Sequence, residues 1–185
     1  MSGPRAAVFL DRDGTINVDT RYVRSPDDVA LVPGAAGALA RLNAAAIPVI
    51  VVTNQSGIAR GLLTAREYDA VQVRLEAMLA GAGAHVDATY VCPHDPTQGC
   101  ECRKPGTLLF RRAAAEHAIA LDRSWFLGDR WRDVAPALEL GGTGILIPSE
   151  ATPRDDLRRA RADLRVSRTL ERAVDLVLRT ASGAR

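Results

Sequence analysis

The chain has 185 residues, of which 47% are hydrophobic and 25% charged, and its formal net charge is +2. A near-neutral charge excludes a polybasic nucleic-acid binder, and no apolar run is long enough for a membrane span or a signal-peptide core. We therefore expect one soluble domain over residues 1–185, monomeric and cytoplasmic, with neither nucleic acid nor membrane as a partner.

Short apolar runs alternate with helical patterns along the chain. The predicted strands are 6–10, 48–53, 88–91, 124–127 and 143–147. The predicted helices are 34–46, 64–81, 108–120 and 131–140, and a weaker strand and helix follow at 164–178. This alternation predicts an α/β fold, a three-layer Rossmann-like parallel sheet with helices on both faces. Helices and loops fill the gaps between the polar motifs, so we expect no large cap domain.

Polar residues follow four of the predicted strands, in clusters that begin at Asp11, Thr53, Cys92 and Gly128. The carboxyl ends of parallel strands meet at one edge of a sheet, and ligands bind beyond that edge. We therefore expect these four clusters to form a single site.

Asp11 and Asp13 come directly after the first strand and are followed by Gly14 and Thr15. Two carboxylates this close repel each other unless a cation or a proton relieves them, and Mg²⁺ prefers carboxylate, water and phosphate oxygens. One carboxylate can attack phosphorus, while the other protonates the leaving oxygen and then activates water. An Asx turn that ends the strand is the plainer alternative. The sequence context favours the site for phosphoryl transfer.

Three further positions fit such a site. Thr53 ends the second strand and can hold phosphoryl oxygens, although Thr-Asn is also ordinary loop chemistry. Lys104 is the only lysine among 24 basic residues, and its compact charge suits a crowded site of phosphate and carboxylates. Asp129 can complete the Mg²⁺ shell with Asp133 in support, the alternative being a helix N-cap.

Three cysteines and a histidine are clustered in the segment 92–102. Cys92, His94, Cys100 and Cys102 supply a complete tetrahedral set of zinc ligands. Because no ligand position stays open, we expect a structural Zn²⁺ that holds this loop. The other histidines, His85 and His117, have no such neighbours, and we expect no metal there.

Together these residues resemble the haloacid dehalogenase-like phosphatases. The four motifs of that family are matched in order by Asp11-x-Asp13-Gly14-Thr15, Thr53, Lys104 and Gly128-Asp129-x-x-x-Asp133. The stretches 9–19, 51–61 and 102–105 resemble the branch of the family that carries a zinc loop. The resemblance covers residues 6–147.

The resemblance implies a Mg²⁺-dependent phosphatase that works through an aspartyl-phosphate. It implies that Asp11 is the nucleophile, that Asp13 is the general acid and base, and that Thr53 and Lys104 hold the phosphoryl group. Asp11, the main-chain oxygen of Asp13, and Asp129 would bind Mg²⁺. The substrate-binding set that it implies is Asp19, Thr20, Arg21, Tyr22, Asn54, Gln55, Ser56, Arg103 and Arg130.

Within this branch two substrates are open, the 7-phosphate of a heptose 1,7-bisphosphate and histidinol phosphate. The stretch 56–61 resembles the heptose enzymes. The short spacing between His94 and Cys100, together with Arg130, resembles the histidinol enzymes, and Gly106 follows Pro105 where the family often has a further residue-proline step. We expect the small phosphorylated sugar, with histidinol phosphate as the alternative.

Two other classes of function are less well supported. A nucleic-acid end-processing module that uses the arginine-rich C-terminal tail would need more positive charge and aromatic stacking residues. A zinc-stabilised interaction protein with a dead site conflicts with the intact set of catalytic residue types. We expect the tail to form a solvated, arginine-faced helix.

Overall fold

The computed structural model describes residues 3–182, where strands and helices alternate as expected. The strands are β1 (Val8–Leu10), β2 (Val49–Asn54), β3 (Ala88–Cys92), β4 (Trp125–Gly128), β5 (Thr143–Leu146) and β6 (Arg165–Val166). The helices are α1 (Ala35–Ala44), α2 (Ser56–Ala59), α3 (Ala65–Gly81), α4 (Leu108–His117), α5 (Trp131–Val134), α6 (Pro136–Leu140), α7 (Arg154–Asp163) and α8 (Leu170–Ser182). Short 3₁₀ turns lie at Pro26–Asp28, Pro96–Gln98 and Leu121–Arg123. No described helix is both long enough and apolar enough to cross a bilayer.

The six strands form one parallel sheet in the order β3-β2-β1-β4-β5-β6. Strand β1 therefore lies between β2 and β4, and Leu10 pairs with Val51 on one side and Leu127 on the other. This register brings the residues that follow these three strands to the same edge of the sheet. The predicted parallel sheet is confirmed.

Helices cover both faces of the sheet, because successive side chains of a strand point to opposite faces. On one face Val8 and Leu10 pack with residues of α1, α3 and α8. On the other face Phe9 packs with α4 and α6, and its ring stacks on Phe126 at a centroid distance of 5.1 Å. Helix α7 packs on the same layer through Ala160, beside Val134 and Leu146. The predicted three-layer arrangement is confirmed.

The predicted helix at 131–140 is two helices in the structure, α5 and α6. Pro136 is the first residue of α6, and Ala135 before it keeps helical dihedral angles (φ −59°, ψ −33°). Proline has no N–H to donate within a helix but is well tolerated in the first turn. The helical pattern is therefore right, and the proline marks the start of a second helix.

The arginine-rich tail forms two helices with different environments. In α7 only Ala160 is buried, and Arg159 lies over the Trp131 ring at 4.3 Å, so the prediction of a solvated helix describes this element. Helix α8 buries an apolar face that includes Leu170, Val174 and Val177. That face packs against α1, where Arg41 and Asp175 form a 2.6 Å ion pair at the surface. The prediction does not describe α8, which is part of the core.

The start of α3 is fixed by a capping box between Thr64 and Glu67. The Thr64 hydroxyl accepts a hydrogen bond from the Glu67 N–H at 3.1 Å, and the Glu67 carboxylate accepts one from the Thr64 N–H at 2.6 Å. Each bond satisfies a backbone donor that the first turn of a helix leaves free. The short helix α2 has no counterpart among the predicted elements, because four residues carry no periodic pattern.

Candidate active site

Three buried carboxylates meet where β1 and β4 end. Asp11 follows β1, while Asp129 and Asp133 follow β4, and each offers an oxygen within 4.8 Å of the others. The three residues are exposed by only 7%, 1% and 3%. Because like charges this close repel strongly in a low-dielectric interior, the cluster requires positive charge.

Lys104 supplies part of that charge from below the cluster. Its ammonium group donates to Asp11 Oδ1 at 2.7 Å and to the carbonyl oxygen of Val52 at 2.6 Å, and it lies 2.7 Å from Asp133 Oδ1. The side chain is 1% exposed, so the lysine reaches the cluster through the protein interior. A second cation lies at the cavity side, where Arg130 Nε is 3.4 Å from Asp129 Oδ2.

The pKa shifts follow from this crowding. Burial, and then the neighbouring Asp133, raises the pKa of Asp11 to about 7, while Lys104 acts in the opposite direction. Burial also raises the pKa of Asp129 to about 6. Burial disfavours the charged form of Lys104, but Asp11 and Asp133 outweigh that effect and raise its pKa. A divalent cation would relieve the same repulsion, and an all-oxygen donor set suits Mg²⁺.

Asp129 is held by a residue that sequence reasoning missed. Ser149 Oγ, in the loop after β5, donates to Asp129 Oδ2 at 2.6 Å, and the Thr152 hydroxyl donates to the Asp129 carbonyl oxygen at 2.7 Å. Gly14 approaches the same carboxylate so closely that a Cβ there would lie 2.6 Å from Asp129 Oδ2, and its φ is +83°. Ser149 could have been found as a polar residue following the fifth strand at the same edge of the sheet.

Asp133 contacts Lys104 and the loop in front of α5. Its Oδ2 accepts a hydrogen bond from the Arg130 N–H at 3.0 Å, which caps the helix, while its other oxygen faces Lys104. The sequence left two roles open for Asp133, support for Asp129 or a cap at the start of a helix. The structure shows the cap and adds an ion pair with Lys104 that sequence reasoning did not predict.

The Asp13 carboxylate is surrounded by donors. Arg12 donates to both of its oxygens at 3.0 Å, Asn17 Nδ2 donates to Oδ1 at 2.9 Å, and Gln55 Nε2 donates to Oδ2 at 2.7 Å. Gln55 Nε2 also donates to Thr53 Oγ1 at 2.9 Å. The general acid and base that the resemblance implies is therefore connected to the threonine at the end of β2 through one amide group.

The last residue of β2 also fixes Lys104. Asn54 Oδ1 accepts the Lys104 N–H at 3.0 Å, and Asn54 Nδ2 donates to the Lys104 carbonyl oxygen at 3.2 Å. Both polar atoms of the Asn54 amide are therefore used to hold the lysine backbone. This gives Asn54 a positioning role beyond the predicted contact with substrate.

A cavity of about 340 Å³ opens above the carboxylates. Its lining includes most of the predicted site, namely Asp11, Asp13, Asp19, Arg21, Tyr22, Thr53, Asn54, Gln55, Ser56, Arg103, Asp129 and Arg130. Thr20 is exposed and is not among the lining residues, and Lys104 lies beneath the floor. Arg60, Pro96 and Arg132 line the cavity as well and were missed. Arg60 could have been found, since it lies within the stretch 51–61 that carries the resemblance. The substrate contacts themselves stay a prediction.

The zinc-ligand set is assembled beside this cavity. The ligand atoms of Cys92, His94, Cys100 and Cys102 all lie within 4.8 Å of one another. The sulfur–sulfur distances are 3.2 to 3.6 Å, and His94 Nδ1 is 3.1 Å from Cys102 Sγ. A tetrahedral zinc with Zn–S bonds of about 2.3 Å has S–S edges of about 3.8 Å, so these four groups fit Zn²⁺. The three cysteines are free thiols rather than disulfides.

Contacts from the loop 92–102 reach the cavity wall. The His94 carbonyl oxygen accepts a hydrogen bond from Arg103 Nη1 at 3.2 Å. Asp95 forms an ion pair with Arg60, whose Nη1 also donates to the Tyr22 hydroxyl at 3.3 Å. The loop therefore fixes two of the arginines that face the cavity.

Comparison with known proteins gives consistent results. A family model described as HAD-hydrolase-like matches residues 101–173. The chain is 40% identical over 141 residues to a Pseudomonas putida protein named D-glycero-beta-D-manno-heptose-1,7-bisphosphate 7-phosphatase, an alignment of 76% of this chain and 81% of the relative. A Pseudomonas aeruginosa protein of the same name is 36% identical over 83% of this chain and 91% of its own.

A solved structure is similar over nearly the whole chain. It is the D,D-heptose 1,7-bisphosphate phosphatase of Bordetella bronchiseptica in complex with magnesium and phosphate. The two chains superpose with a TM-score of 0.85 at 34% sequence identity, and the match covers 95% of this chain and 99% of the other.

Proposed function

Because this chain belongs to the haloacid dehalogenase-like phosphatases, in the family of the heptose 1,7-bisphosphate 7-phosphatases, we propose that it hydrolyses the 7-phosphate of D-glycero-D-manno-heptose 1,7-bisphosphate. The observation that carries the proposal is the arrangement of Asp11 and Asp129 at the floor of a cavity lined by arginines, with Lys104 directly beneath them. The family resemblance that the motifs indicated is confirmed by these relatives.

The proposed reaction begins at Asp11. One of its oxygens bonds to phosphorus while the bond from phosphorus to the sugar oxygen breaks, and Asp13 donates a proton to that oxygen. Asp13 then takes a proton from the water that hydrolyses the aspartyl-phosphate, which frees Asp11 and releases phosphate. Thr53 and Lys104 hold the phosphoryl oxygens during both steps.

The residues we propose as ligands of Mg²⁺ are Asp11, the main-chain oxygen of Asp13, and Asp129. Bound there, the cation would offset the charge of the phosphoryl group and favour the ionised carboxylates. The crowded carboxylates of this chain support the assignment, as does the magnesium in the Bordetella bronchiseptica structure. A zinc ion held by the loop 92–102 would be structural, since its four ligands leave no open position.

The charge of the cavity favours a bisphosphate over histidinol phosphate. Arg21, Arg60, Arg103, Arg130 and Arg132 all line it. Apart from Asp11, Asp13 and the proposed Mg²⁺ ligand Asp129, Asp19 is the only acidic residue among the lining residues of the described chain. A second phosphate would be attracted to such a surface, whereas the ammonium group of histidinol phosphate would be repelled. The alternative substrate is therefore not favoured.

We further propose that residues 1–185 form one domain that acts as a monomer on a small phosphorylated sugar, without nucleic-acid or membrane partners. The proposed catalytic residues all come from one chain, so a partner is not required. A cytoplasmic location is proposed because a reducing compartment preserves zinc-binding thiols. The described structure begins at residue 3 and ends at residue 182, so the ends of this range lie outside it.

Phosphate release with Mg²⁺ tests the proposed function. The comparison is kcat/KM for the heptose 1,7-bisphosphate against histidinol phosphate, with Asp11→Asn as the inactive control. We expect a preference of about a hundredfold or more for the bisphosphate, which corresponds to about 2.7 kcal/mol of transition-state discrimination. Phosphorus NMR of the product should show that the 1-phosphate is retained. A reversed preference, or turnover by Asp11→Asn, would contradict the proposal.

A further inference from the structure

Arg12 is a buried cation that the proposed reaction does not use. It lies between the two motif aspartates in sequence, and it is only 1% exposed. Its guanidinium points away from the cavity, whose lining does not include it, and lies 5.0 Å from the centre of the Tyr68 ring of α3. Burying an arginine costs free energy unless the guanidinium is paired and hydrogen-bonded. A buried Arg12 therefore requires a specific partner.

That partner is Asp13. Arg12 Nη2 donates to Asp13 Oδ1 and Oδ2 at 3.0 Å each, and Arg12 Nε donates to Oδ1 at 3.2 Å. The planar guanidinium fixes the plane of the carboxylate in a way that a single-point donor cannot. Tyr68 packs against the guanidinium, and a cation over an aromatic face is stabilised by the ring quadrupole.

With the Asp13 carboxylate held in this plane by Arg12, one of its oxygens, Oδ2, faces the proposed phosphoryl site. Asp13 Oδ2 and Thr53 Oγ1 both accept from Gln55 Nε2, at 2.7 Å and 2.9 Å. Asp13 Oδ1 accepts from the buried Arg12 and Asn17, whereas Oδ2, which also accepts from Arg12 Nη2, is the oxygen bonded to the cavity-lining Gln55. Oδ2 is therefore the oxygen that can exchange a proton with the leaving group and later with water.

We propose that Arg12, supported by the Tyr68 ring, is the positioning residue of the general acid and base Asp13. The inference rests on the proposed function, because it assigns Arg12 a part in both proton transfers of that reaction. Arg12 does not touch the substrate, so its loss should lower kcat and leave KM nearly unchanged.

Two substrates with different leaving groups test this role. The heptose 7-phosphate leaves as an alkoxide that must be protonated, whereas p-nitrophenyl phosphate releases a stable phenolate without a proton. In Arg12→Lys, which keeps the charge but loses the planar fork, we expect kcat for the heptose bisphosphate to fall about a hundredfold. The first turnover of p-nitrophenyl phosphate should stay fast and be followed by slow steady release, because hydrolysis of the aspartyl-phosphate still needs Asp13.

Asp13→Asn is the reference variant and should show the same pattern more strongly. If Asp13→Asn retained full turnover of both substrates, the proposed function and this inference would both fail. If Asp13→Asn behaves as expected but folded Arg12→Lys slows the first turnover of both substrates equally, or of neither, only the inference is overturned.

Tyr68 provides a second test that does not depend on the folding of an Arg12 variant. Tyr68→Leu removes the ring beneath the guanidinium, whereas the matched control Tyr68→Phe keeps it and loses only the hydroxyl, which is 3.5 Å from Gln72 Oε1. In Tyr68→Leu we expect heptose bisphosphate turnover to fall while the first turnover of p-nitrophenyl phosphate stays fast, and in Tyr68→Phe we expect neither to change. Equal behaviour of the two variants would overturn the inference.

Discussion

Lys104 and Asp11 form a buried ion pair with 2.7 Å between Nζ and Oδ1, although they lie 93 residues apart in the chain. The contact arises because β1 and β2 are neighbours in the sheet and Asn54, at the end of β2, holds the Lys104 backbone. The nucleophile proposed here and the only lysine of the chain are therefore placed together by the topology of the sheet.

Loss of Lys104 should impair both stability and activity. Lys104→Met leaves Asp11 and Asp133 buried without their cation, and breaking a buried pair in this way costs about 3 to 5 kcal/mol. We expect urea unfolding to show a loss of that size and phosphate release to be abolished. Arg111→Met, which breaks the exposed pair between Arg111 and Glu139, is the control and should change stability by less than about 1 kcal/mol. Similar effects of the two variants would contradict the assignment.

Asp11 should make the stability of the protein depend on pH in Mg²⁺-free buffer. Its pKa is raised from 3.8 to about 7 in the folded state, so the folded protein binds the proton more tightly than the unfolded chain does. Stability from this group is present below about pH 4 and is lost as the pH rises to about 7.

Asp11→Asn removes that titration. The free energy of unfolding of the variant relative to the parent should therefore increase between about pH 4 and pH 7, by about 3 kcal/mol, and then level off. Added Mg²⁺ should reduce the difference by stabilising the parent. If the difference in unfolding free energy between variant and parent did not change with pH, burial would not raise the pKa of Asp11.

Ser149→Ala should weaken Mg²⁺ binding without greatly altering the fold. Ser149 Oγ donates to the buried Asp129 carboxylate at 2.6 Å, and this bond opposes the effect of burial on the pKa of Asp129. A hydrogen bond to a charged group contributes about 1.5 to 3 kcal/mol, so the Mg²⁺ concentration for half-maximal activity should rise about tenfold or more. Ser167→Ala, which loses an exposed contact to the Thr169 carbonyl oxygen, is the control. Identical Mg²⁺ dependence of the two variants would exclude this role for Ser149.

The purified protein should contain about one zinc ion per chain. In the absence of metal, burial raises the pKa of the Cys92 thiol to about 12, so thiolate formation there needs a cation. Chelation at neutral pH should release the zinc and lower the melting temperature, and Cys100→Ser should not retain the ion. His85→Ala changes an exposed histidine outside the cluster and should keep its zinc, as measured by metal analysis. Full zinc content in Cys100→Ser would contradict the ligand assignment.

The zinc-ligand set and the parallel sheet could be read from the sequence because their signals are local. Cys92, His94, Cys100 and Cys102 lie within one short loop, so spacing alone brings them together. The alternation of strands and helices predicts that polar residues after each strand share one edge, and Asp11, Thr53 and Asp129 do share it. Helix ends were less accurate, and the single helix predicted at 131–140 did not include the break at Pro136.

The tertiary structure alone decided which side chains meet across that edge. The sequence does not state that β1 lies between β2 and β4, so it could not predict that Asn54 holds Lys104, that Ser149 holds Asp129, or that Arg12 turns inward to Asp13. Hydrogen bonds and ion pairs act over about 3 Å, and distances of that size between remote residues depend on strand order, register and loop path together. The sequence by itself determined the chemistry available at the site, and the fold determined which of those groups act on one another.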